Sequence, residues 1–373
     1  MRHGSLSLKW MTRFLFAALL AATSTGTALG EKVNTGNVYV MTNRAEGNSV
    51  EIFSRGANGG LKFLREVPTQ GLGTGATRDP LMSQGALRLS MDGHLLFAVN
   101  PASGELTAFV VTPDGLEFGS KVLSGGTFAV SVTEHGGIVY VVNQLGNPNI
   151  SGFTVDSGGK LEPISNSTRE LAGGGLALPA EVRFTPDGKQ LLVTEKGTAQ
   201  IDIFDVDAGG RPTGPAVQAS SGKVPFGFTF GPNASVVVTE AQGALPKKGS
   251  TSSYQLTGGD ELAVVSTSVP DKGTAACWVV ITGQTAWVVN TVTGTISAYG
   301  VGANGQLSLI NPVAASLGTA VPIDLIASPD GKYLYVLESA IGGVAAFQIN
   351  DSKLTPLFNK TGLPLSIQGI AAR

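Results

Sequence analysis

The sequence is poor in the residues that build disulfides, metal sites and nucleic-acid surfaces. It contains one cysteine and three histidines among 373 residues. The single cysteine, Cys277, excludes an internal disulfide. His94 and His135, the two histidines beyond the N-terminal segment, fall in or beside predicted turns, so we predict neither a metal site nor a cofactor. Only 14% of residues are charged and the net charge is −2, so no basic surface for nucleic acid is predicted.

Long hydrophobic runs are also lacking. The longest, residues 14–22, follows Arg2, Lys9 and Arg13 and precedes small residues up to Gly30. It is too short to cross a bilayer and has the order of a secretory signal peptide. We therefore expect residues 1–30 to be a signal peptide and residues 31–373 a single exported domain, secreted or periplasmic. No membrane anchor is predicted, and we expect a monomer.

A repeated strand pattern dominates the rest of the chain. Runs of β-branched and aromatic residues ending in Asn or Glu recur at residues 38–43, 95–100, 139–143, 191–195, 236–240, 286–290 and 334–338. Their spacing of about 44 to 57 residues is the size of a four-stranded propeller blade. The 51 glycines suit many short strands joined by tight turns. The sequence predicts an all-β, seven-bladed β-propeller with four-stranded antiparallel blades.

The ends of the chain are predicted to close this ring. Each repeat opens with an inner strand and a Gly-containing turn, as in Pro186-Asp187-Gly188. Only six inner strands lie between residue 84 and the last repeat, and the seventh candidate is residues 366–372. We expect this C-terminal segment to complete the blade that begins at Val38, because a closed ring leaves no open sheet edge.

Two sets of positions are predicted to surround one mouth of the central channel. The first lies at the starts of the inner strands: Ala86, Ala129, Glu181, Gly227, Ala276, Asp324 and Gln368. The second lies just after the second strands: Asn43, Asn100, Asn143, Glu195, Glu240, Asn290 and Glu338. Together they predict a polar pocket. Residues 69–84 and 241–253 exceed normal hairpin length and are candidate lids.

Several stretches resemble the seven-bladed propeller lactonase family, which includes 6-phosphogluconolactonases and carboxymuconate cyclases. They are residues 79–87 (DPLMSQGAL), 179–184 (PAEVRF), 194–196 (TEK), 225–228 (PFGF) and 275–278 (AACW). The resemblance covers nearly all of residues 31–373 and implies a lactonase-like or cyclase-like enzyme. The phosphogluconolactonase-like members carry Pro-Arg-His where this chain has Pro179-Ala180-Glu181. Without that Arg and His, hydrolysis of a phosphorylated sugar lactone is not expected.

Lactone hydrolysis needs a carboxylate to activate water and a cation to hold the oxyanion. We predict Glu181 or Glu195 as the base, with Lys196 or Arg183 as the cation. The predicted substrate-binding residues are Gln84, Asn143, Glu240, Trp278, Asn290 and Asp324. Asn and Glu at strand ends also commonly bond local backbone, and Cys277 and Trp278 are also candidates for core packing.

The leading hypothesis is thus an exported enzyme that hydrolyses or forms a lactone of a small carboxylate or sugar acid. The alternative is a noncatalytic propeller that binds a small ligand or partner protein at the same mouth. A quinone-linked dehydrogenase or a polysaccharide lyase has less support, because no repeated Trp-docking motif or calcium loop is present.

Overall fold

The computed structural model describes Met1 and residues 34–373, and the regular secondary structure of this part of the chain is β apart from three short 3₁₀ turns. The predicted signal peptide and its cleavage site lie outside the described residues, apart from Met1. The first strands are β1 (Asn34–Met41), β2 (Ser49–Gly56), β3 (Leu61–Pro68), β4 (Leu87–Leu89), β5 (Leu95–Asn100), β6 (Glu105–Thr112), β7 (Gly115–Leu123), β8 (Thr127–His135), β9 (Ile138–Leu145), β10 (Asn149–Val155), β11 (Leu161–Pro163) and β12 (Arg169–Glu170).

The second half of the chain continues the same pattern. Its strands are β13 (Pro179–Phe184), β14 (Gln190–Glu195), β15 (Gln200–Val206), β16 (Pro212–Ala219), β17 (Pro225–Phe230), β18 (Ser235–Glu240), β19 (Ser250–Leu256), β20 (Leu262–Pro270), β21 (Ala276–Thr282), β22 (Thr285–Asn290), β23 (Thr295–Val301), β24 (Leu307–Ser316), β25 (Pro322–Ala327), β26 (Tyr333–Glu338), β27 (Gly343–Asn350), β28 (Lys353–Thr361) and β29 (Ile370–Ala372). Short 3₁₀ turns occur at Gly174–Leu176, Pro232–Ala234 and Gln242–Ala244.

These strands form seven antiparallel sheets, one for each predicted blade. Blade 1 has the order β29-β1-β2-β3, and blades 2 to 7 begin with the inner strands β4, β8, β13, β17, β21 and β25. In blade 3, β12 pairs with β10 and adds a fifth strand. The predicted seven-bladed β-propeller is confirmed.

The two ends of the described chain meet in blade 1. Strand β29 pairs antiparallel with β1, with Ile370 opposite Val40 and Ala372 opposite Val38. The backbone pairing extends to Arg373, whose N–H donates to the carbonyl of Asn37 at 2.8 Å. The predicted closure is confirmed, although the paired strand begins at Ile370 rather than at residue 366.

The hydrophobic core lies between neighbouring blades. Every residue of the second strands β5, β14, β18 and β26 is buried. Both faces of such a strand are covered by adjacent blades, so the sequence shows a continuous apolar run instead of an alternating pattern. Tyrosine hydroxyls tie blades together: Tyr140 donates to the carbonyl of Gly210 at 2.6 Å, and Tyr335 to that of Gly59 at 2.8 Å. The second of these bonds joins blade 7 to blade 1.

Antiparallel pairing brings the start of each inner strand beside the end of the second strand, as Pro179 opposite Glu195 illustrates. We call the channel end that these positions surround the upper mouth. The other end, at the turns from inner to second strands, is the lower mouth. The described residues contain no helix with the length and apolar character needed to cross a membrane.

Candidate functional site

A short segment lies across the central channel and is held by several blades. This plug, residues 81–85, lies between β3 and β4 and contacts distant blades. Ser83 Oγ donates to the carbonyl of Val130 in blade 3 at 2.9 Å, and the Gln84 N–H donates to the carbonyl of Ala180 in blade 4 at 3.1 Å. The side chain of Gln84 pairs with the backbone of Val279 in blade 6.

Two further side chains fix the plug through one carbonyl. Trp278 Nε1 donates to the carbonyl of Ser83 at 2.8 Å, and Gln368 Nε2 donates to the same oxygen at 3.0 Å. Ser83 and Gln368 have no exposed surface. Blades 1, 3, 4 and 6 all hold the plug, and the cavities on its two sides share no lining residue. The plug therefore divides the channel into an upper pocket, on the side of the upper mouth, and a lower chamber, on the side of the lower mouth.

The upper pocket has a volume of about 470 Å³. Its lining is Arg78, Asp79, Met82, Lys196, Val224, Phe226, Ala241, Gly243, Ala244, Ala275, Cys277, Thr291, Val292 and Val321. Both predicted lid segments, residues 69–84 and 241–253, contribute to this wall. Most of the lining is apolar, and its charged groups are Arg78, Asp79 and Lys196.

Asp79 and Lys196 bring an acid and an amine to one pocket. Asp79 Oδ1 accepts the N–H of Met82 at 3.0 Å. Lys196 Nζ donates to the carbonyls of Met82 at 2.6 Å and Pro179 at 2.8 Å, and it lies 5.3 Å from the centre of the Phe226 ring. An ammonium group has three N–H donors, so one remains for a ligand. Phe226 itself packs on Trp278, with ring centres 4.8 Å apart.

Burial brings both groups towards neutral pKa values. Surrounding protein atoms raise the pKa of Asp79 to about 7, against the opposing attraction of Lys196. Burial lowers the pKa of Lys196 to about 7, against the opposing attraction of Asp79. Burial also raises the pKa of the Cys277 thiol far above its usual range, so this wall residue is not a thiolate nucleophile. The pocket thus holds an acid and an amine whose pKa values burial brings to about 7.

Glu181, predicted as a base, lies inside the channel and is fully buried. Its Oε1 accepts Arg88 Nη2 at 2.6 Å, and its Oε2 accepts the N–H of Phe228 at 2.7 Å. Arg183 approaches the same carboxylate at 3.9 Å. The structure therefore brings Glu181 and Arg183 together, but on the lower side of the plug and apart from Lys196.

Glu195 is also buried and faces protein groups. Its Oε1 accepts the N–H of Gly173 at 3.1 Å, and its other oxygen accepts the hydroxyl of Thr198. It shares a hydrogen bond with Asp202, whose pKa rises to about 8 through burial and through this neighbouring carboxylate. These contacts join the turn after β14 to the segment before β13. Glu195 and Lys196 are adjacent in sequence, but only Lys196 lines the upper pocket.

The other residues predicted at the ends of second strands have similar surroundings. Asn143 donates to the carbonyl of Ser124 and to Asn149 Oδ1, both at 3.0 Å. Glu240 accepts the hydroxyls of Ser250 at 2.5 Å and Ser268 at 2.9 Å. Asn290 Nδ2 donates to Ser297 Oγ at 2.8 Å. All three are fully buried, which agrees with the alternative that such residues bond local groups.

Three predicted substrate-binding residues take other positions. Gln84 is part of the plug, and Trp278 is fully buried beneath Phe226. Asp324 lines the lower chamber below the plug. Burial, reinforced by the charge of Glu181, raises the pKa of Asp324 to about 8. The residues predicted for one site are therefore divided among the plug, the two chambers and the strand ends.

Residues 168–245 match the family model described as "Lactonase, 7-bladed beta-propeller". The predicted resemblance to the propeller lactonase family is confirmed. The matched residues span blade 4 and the first half of blade 5, including Glu181, Lys196 and Phe226. A search of curated proteins found no significant sequence match.

Solved structures resemble the chain over nearly its whole length. A Bacteroides fragilis protein, provisionally described as a 6-phosphogluconolactonase, has 18% identity and a TM-score of 0.71, covering 92% of this chain and 99% of that one. The periplasmic gluconolactonase PpgL of Pseudomonas aeruginosa has 19% identity and a TM-score of 0.67, covering 89% and 98%. A Lactobacillus plantarum protein has 17% identity and a TM-score of 0.70, covering 91% and 99%. At these identities the likeness shows a shared fold.

Sequence reasoning missed Asp79. It lies in a long connection outside the strand repeat, so aligning the blades gave it no position. The signal was its place in a family-like stretch directly before Pro80. In residues 34–373, no group of three or more His, Cys, Asp or Glu side chains is arranged to hold a metal ion.

Proposed function

We propose that the protein is a lactonase-like enzyme whose reaction takes place in the upper pocket. The observation that carries this proposal is the presence of Asp79 and Lys196 on one largely apolar pocket beside the channel plug. A carboxylate base and a cation are the two groups that opening a lactone requires. Both are held near neutral pKa values, which suits proton transfer at physiological pH.

In this mechanism the Asp79 carboxylate takes a proton from a water molecule as the water attacks the lactone carbonyl carbon. The third N–H of the Lys196 ammonium stabilises the negative charge that develops on the carbonyl oxygen. The tetrahedral intermediate collapses by breaking the ring C–O bond, and the Asp79 carboxyl returns its proton to the departing alkoxide. The product is a hydroxy acid, which releases its carboxyl proton to solvent, and the reverse sequence forms the lactone.

The lining indicates the class of substrate. Phe226, Ala241, Ala275, Val292 and Val321 offer apolar contacts, and a sugar acid would leave its hydroxyls without partners against such walls. We therefore favour a lactone with an aliphatic or aromatic body over a sugar lactone. Arg78, at the exposed rim, is positioned to attract a carboxylate substituent or the product. Export to the periplasm or the exterior, action as a monomer and a small-molecule substrate remain parts of the proposal.

A panel of lactones tests this function directly. Initial rates are measured with dihydrocoumarin, γ-nonalactone and glucono-δ-lactone for the wild-type protein, Asp79→Asn and Lys196→Met. We expect turnover of the first two lactones, with kcat lowered by roughly 10²-fold or more in each variant. Asp114→Asn alters an exposed carboxylate in the turn between β6 and β7 and should retain full activity. Equal rates for wild type and Asp79→Asn would contradict the proposal.

The noncatalytic alternative keeps one specific observation in its favour. Glu181 and Glu195 are both engaged by protein donors, so they are not free to activate water. If the wild type turns over no lactone, calorimetry with the same compounds decides between the two functions. Saturable binding that Lys196→Met weakens would then identify the upper pocket as a ligand-binding site without catalysis.

A further inference from the structure

Below the plug, the channel contains two adjoining cavities. The first, of about 180 Å³, lies between the inner strands and is lined by the plug residues Gln84 and Gly85. The second, of about 310 Å³, opens at the lower mouth beside Met91, His135 and Pro186. Both are lined by Arg88, Leu89 and Arg183. We call the two together the lower chamber.

The guanidinium groups of Arg88 and Arg183 are its main polar feature. Arg88 uses Nη2 to pair with Glu181. Arg183 uses Nη1 to donate to the carbonyl of Phe228 at 3.2 Å and to Thr229 Oγ1 at 3.1 Å. Within residues 34–373, the other N–H groups of both side chains have no hydrogen-bond acceptor. With side-chain exposures of 19% and 28%, the two arginines are reached from the chamber.

The charges around the first of these two cavities do not balance. Glu181 compensates one guanidinium. Asp324 is the other carboxyl group there among the described residues, and burial raises its pKa to about 8, so at neutral pH it is mostly uncharged. Glu134 lines the second cavity, where its two oxygens accept the N–H groups of Met91 at 3.0 Å and Gly137 at 2.8 Å. In the first cavity, one of the two guanidinium groups therefore has no charged carboxylate partner.

We propose that the lower chamber binds a small monocarboxylate through the free N–H groups of Arg88 and Arg183. A guanidinium is well matched to a carboxylate, which accepts two parallel hydrogen bonds from it. The walls formed by Leu89, Val280 and Ile326 suit a short apolar body on that anion. Separated from the upper pocket by the plug, this site is independent of the proposed lactonase reaction.

Propionate is the probe for this site. Its binding to the full protein is measured by saturation-transfer NMR and calorimetry, at constant ionic strength maintained with chloride. We expect saturable one-to-one binding with a Kd below about 50 mM and a loss of at least tenfold in affinity for Arg183→Gln, equivalent to about 1.4 kcal/mol. The double variant Arg88→Gln, Glu181→Gln keeps a neutral hydrogen-bonding pair in place of the ion pair and should also bind at least tenfold more weakly.

Two comparisons locate the site and define its chemistry. Lys196→Gln, in the upper pocket, should leave propionate affinity unchanged; a loss of binding in that variant alone would overturn the proposal. Inorganic phosphate should bind more weakly than propionate, and tighter binding of phosphate would refute the carboxylate assignment. Equal propionate affinity in the wild type and in a folded Arg183→Gln, or no saturation up to about 50 mM, would refute the site itself.

Discussion

The side-chain amide of Gln84 pairs with both backbone groups of Val279. Its Nε2 donates to the Val279 carbonyl at 2.9 Å, and its Oε1 accepts the Val279 N–H at 3.1 Å. The two residues are 195 positions apart in the chain. The pairing gives the backbone N–H and carbonyl of Val279, in the inner strand β21, a hydrogen-bond partner on the plug. It also holds in place the plug that separates the upper pocket from the lower chamber.

Gln84→Ala removes this pairing. The backbone N–H and carbonyl of Val279 lose their partners in a buried place, which typically costs about 1–3 kcal/mol. We expect a lower free energy of unfolding by that amount, measured by denaturant titration. Gln306→Ala, at an exposed position of the turn before β24, is the control and should have little effect. A Gln84→Ala protein as stable as the control would mean that the plug is held by its backbone alone.

Gly227→Ala places a methyl group of blade 5 against the same plug. A Cβ atom at residue 227 would lie 2.0 Å from Gln84 Oε1 and 2.8 Å from the carbonyl oxygen of Cys277. One of these groups must move, so we expect destabilisation of about 1–3 kcal/mol, as for other overpacked sites. Gly175→Ala is the matched control, because its Cβ would have open space. Calorimetric melting of both variants tests the difference, and equal melting temperatures would contradict the close approach.

The fold could be predicted from the sequence because it repeats. Seven copies of one strand pattern, with glycine turns between them, left little choice of architecture. The missing inner strand at residues 366–372 even located the closure. A sequence repeat shows only the features that all blades have in common. Here these are the buried second strands, each of which packs between two neighbouring blades.

The site could not be predicted in the same way, because it depends on what the blades do not share. Asp79 lies in a connection outside the repeat, and the plug crosses the channel to partners far away in sequence. Glu195 is the last residue of β14, and Lys196 is the first residue of the turn that follows it. The strand pattern does not show which way each side chain faces. In the structure only Lys196 faces the pocket, while Glu195 turns to Asp202.

Glu195→Gln separates a structural role from a catalytic one. Glutamine keeps an acceptor for the Gly173 N–H and can donate to Asp202 in place of the shared proton. We expect kcat/KM on a turned-over lactone within about twofold of wild type. A tenfold loss of activity in a fully folded variant would return Glu195 to the mechanism.

The same variant should alter how stability depends on pH. The pKa of Asp202 is raised to about 8 in the folded protein, against about 4 in an unfolded chain. Its contribution to stability is therefore complete below about pH 4 and is lost as pH rises through about 8. Because the introduced glutamine would donate to an ionised Asp202, we expect a smaller fall in melting temperature between about pH 6 and 9. An unchanged fall would argue against a shared proton.

The pH profile of kcat/KM tests the pairing of Asp79 and Lys196. Asp79 must be ionised, which favours pH above about 7, and Lys196 must be protonated, which favours pH below about 7. We expect a narrow bell with its maximum near about pH 7. Lys196→Arg keeps the cation charged at higher pH, so the alkaline limb should disappear while the acidic limb remains. Rates corrected for spontaneous lactone hydrolysis test this, and an alkaline limb unchanged in Lys196→Arg would assign it to another group.

Deleting residues 364–373 tests closure of the ring. The deletion removes β29 and the buried side chains of Ile367 and Ile370, and it leaves β1 as an open sheet edge. Such an edge is free to pair with other chains, so we expect an insoluble or loosely folded protein. The contact between β29 and β1 is noncovalent strand pairing. A synthetic peptide of residues 364–373 added during refolding should therefore restore soluble protein. A scrambled peptide of the same composition is the control, and a truncated chain that is soluble and melts cooperatively without peptide would contradict closure by β29.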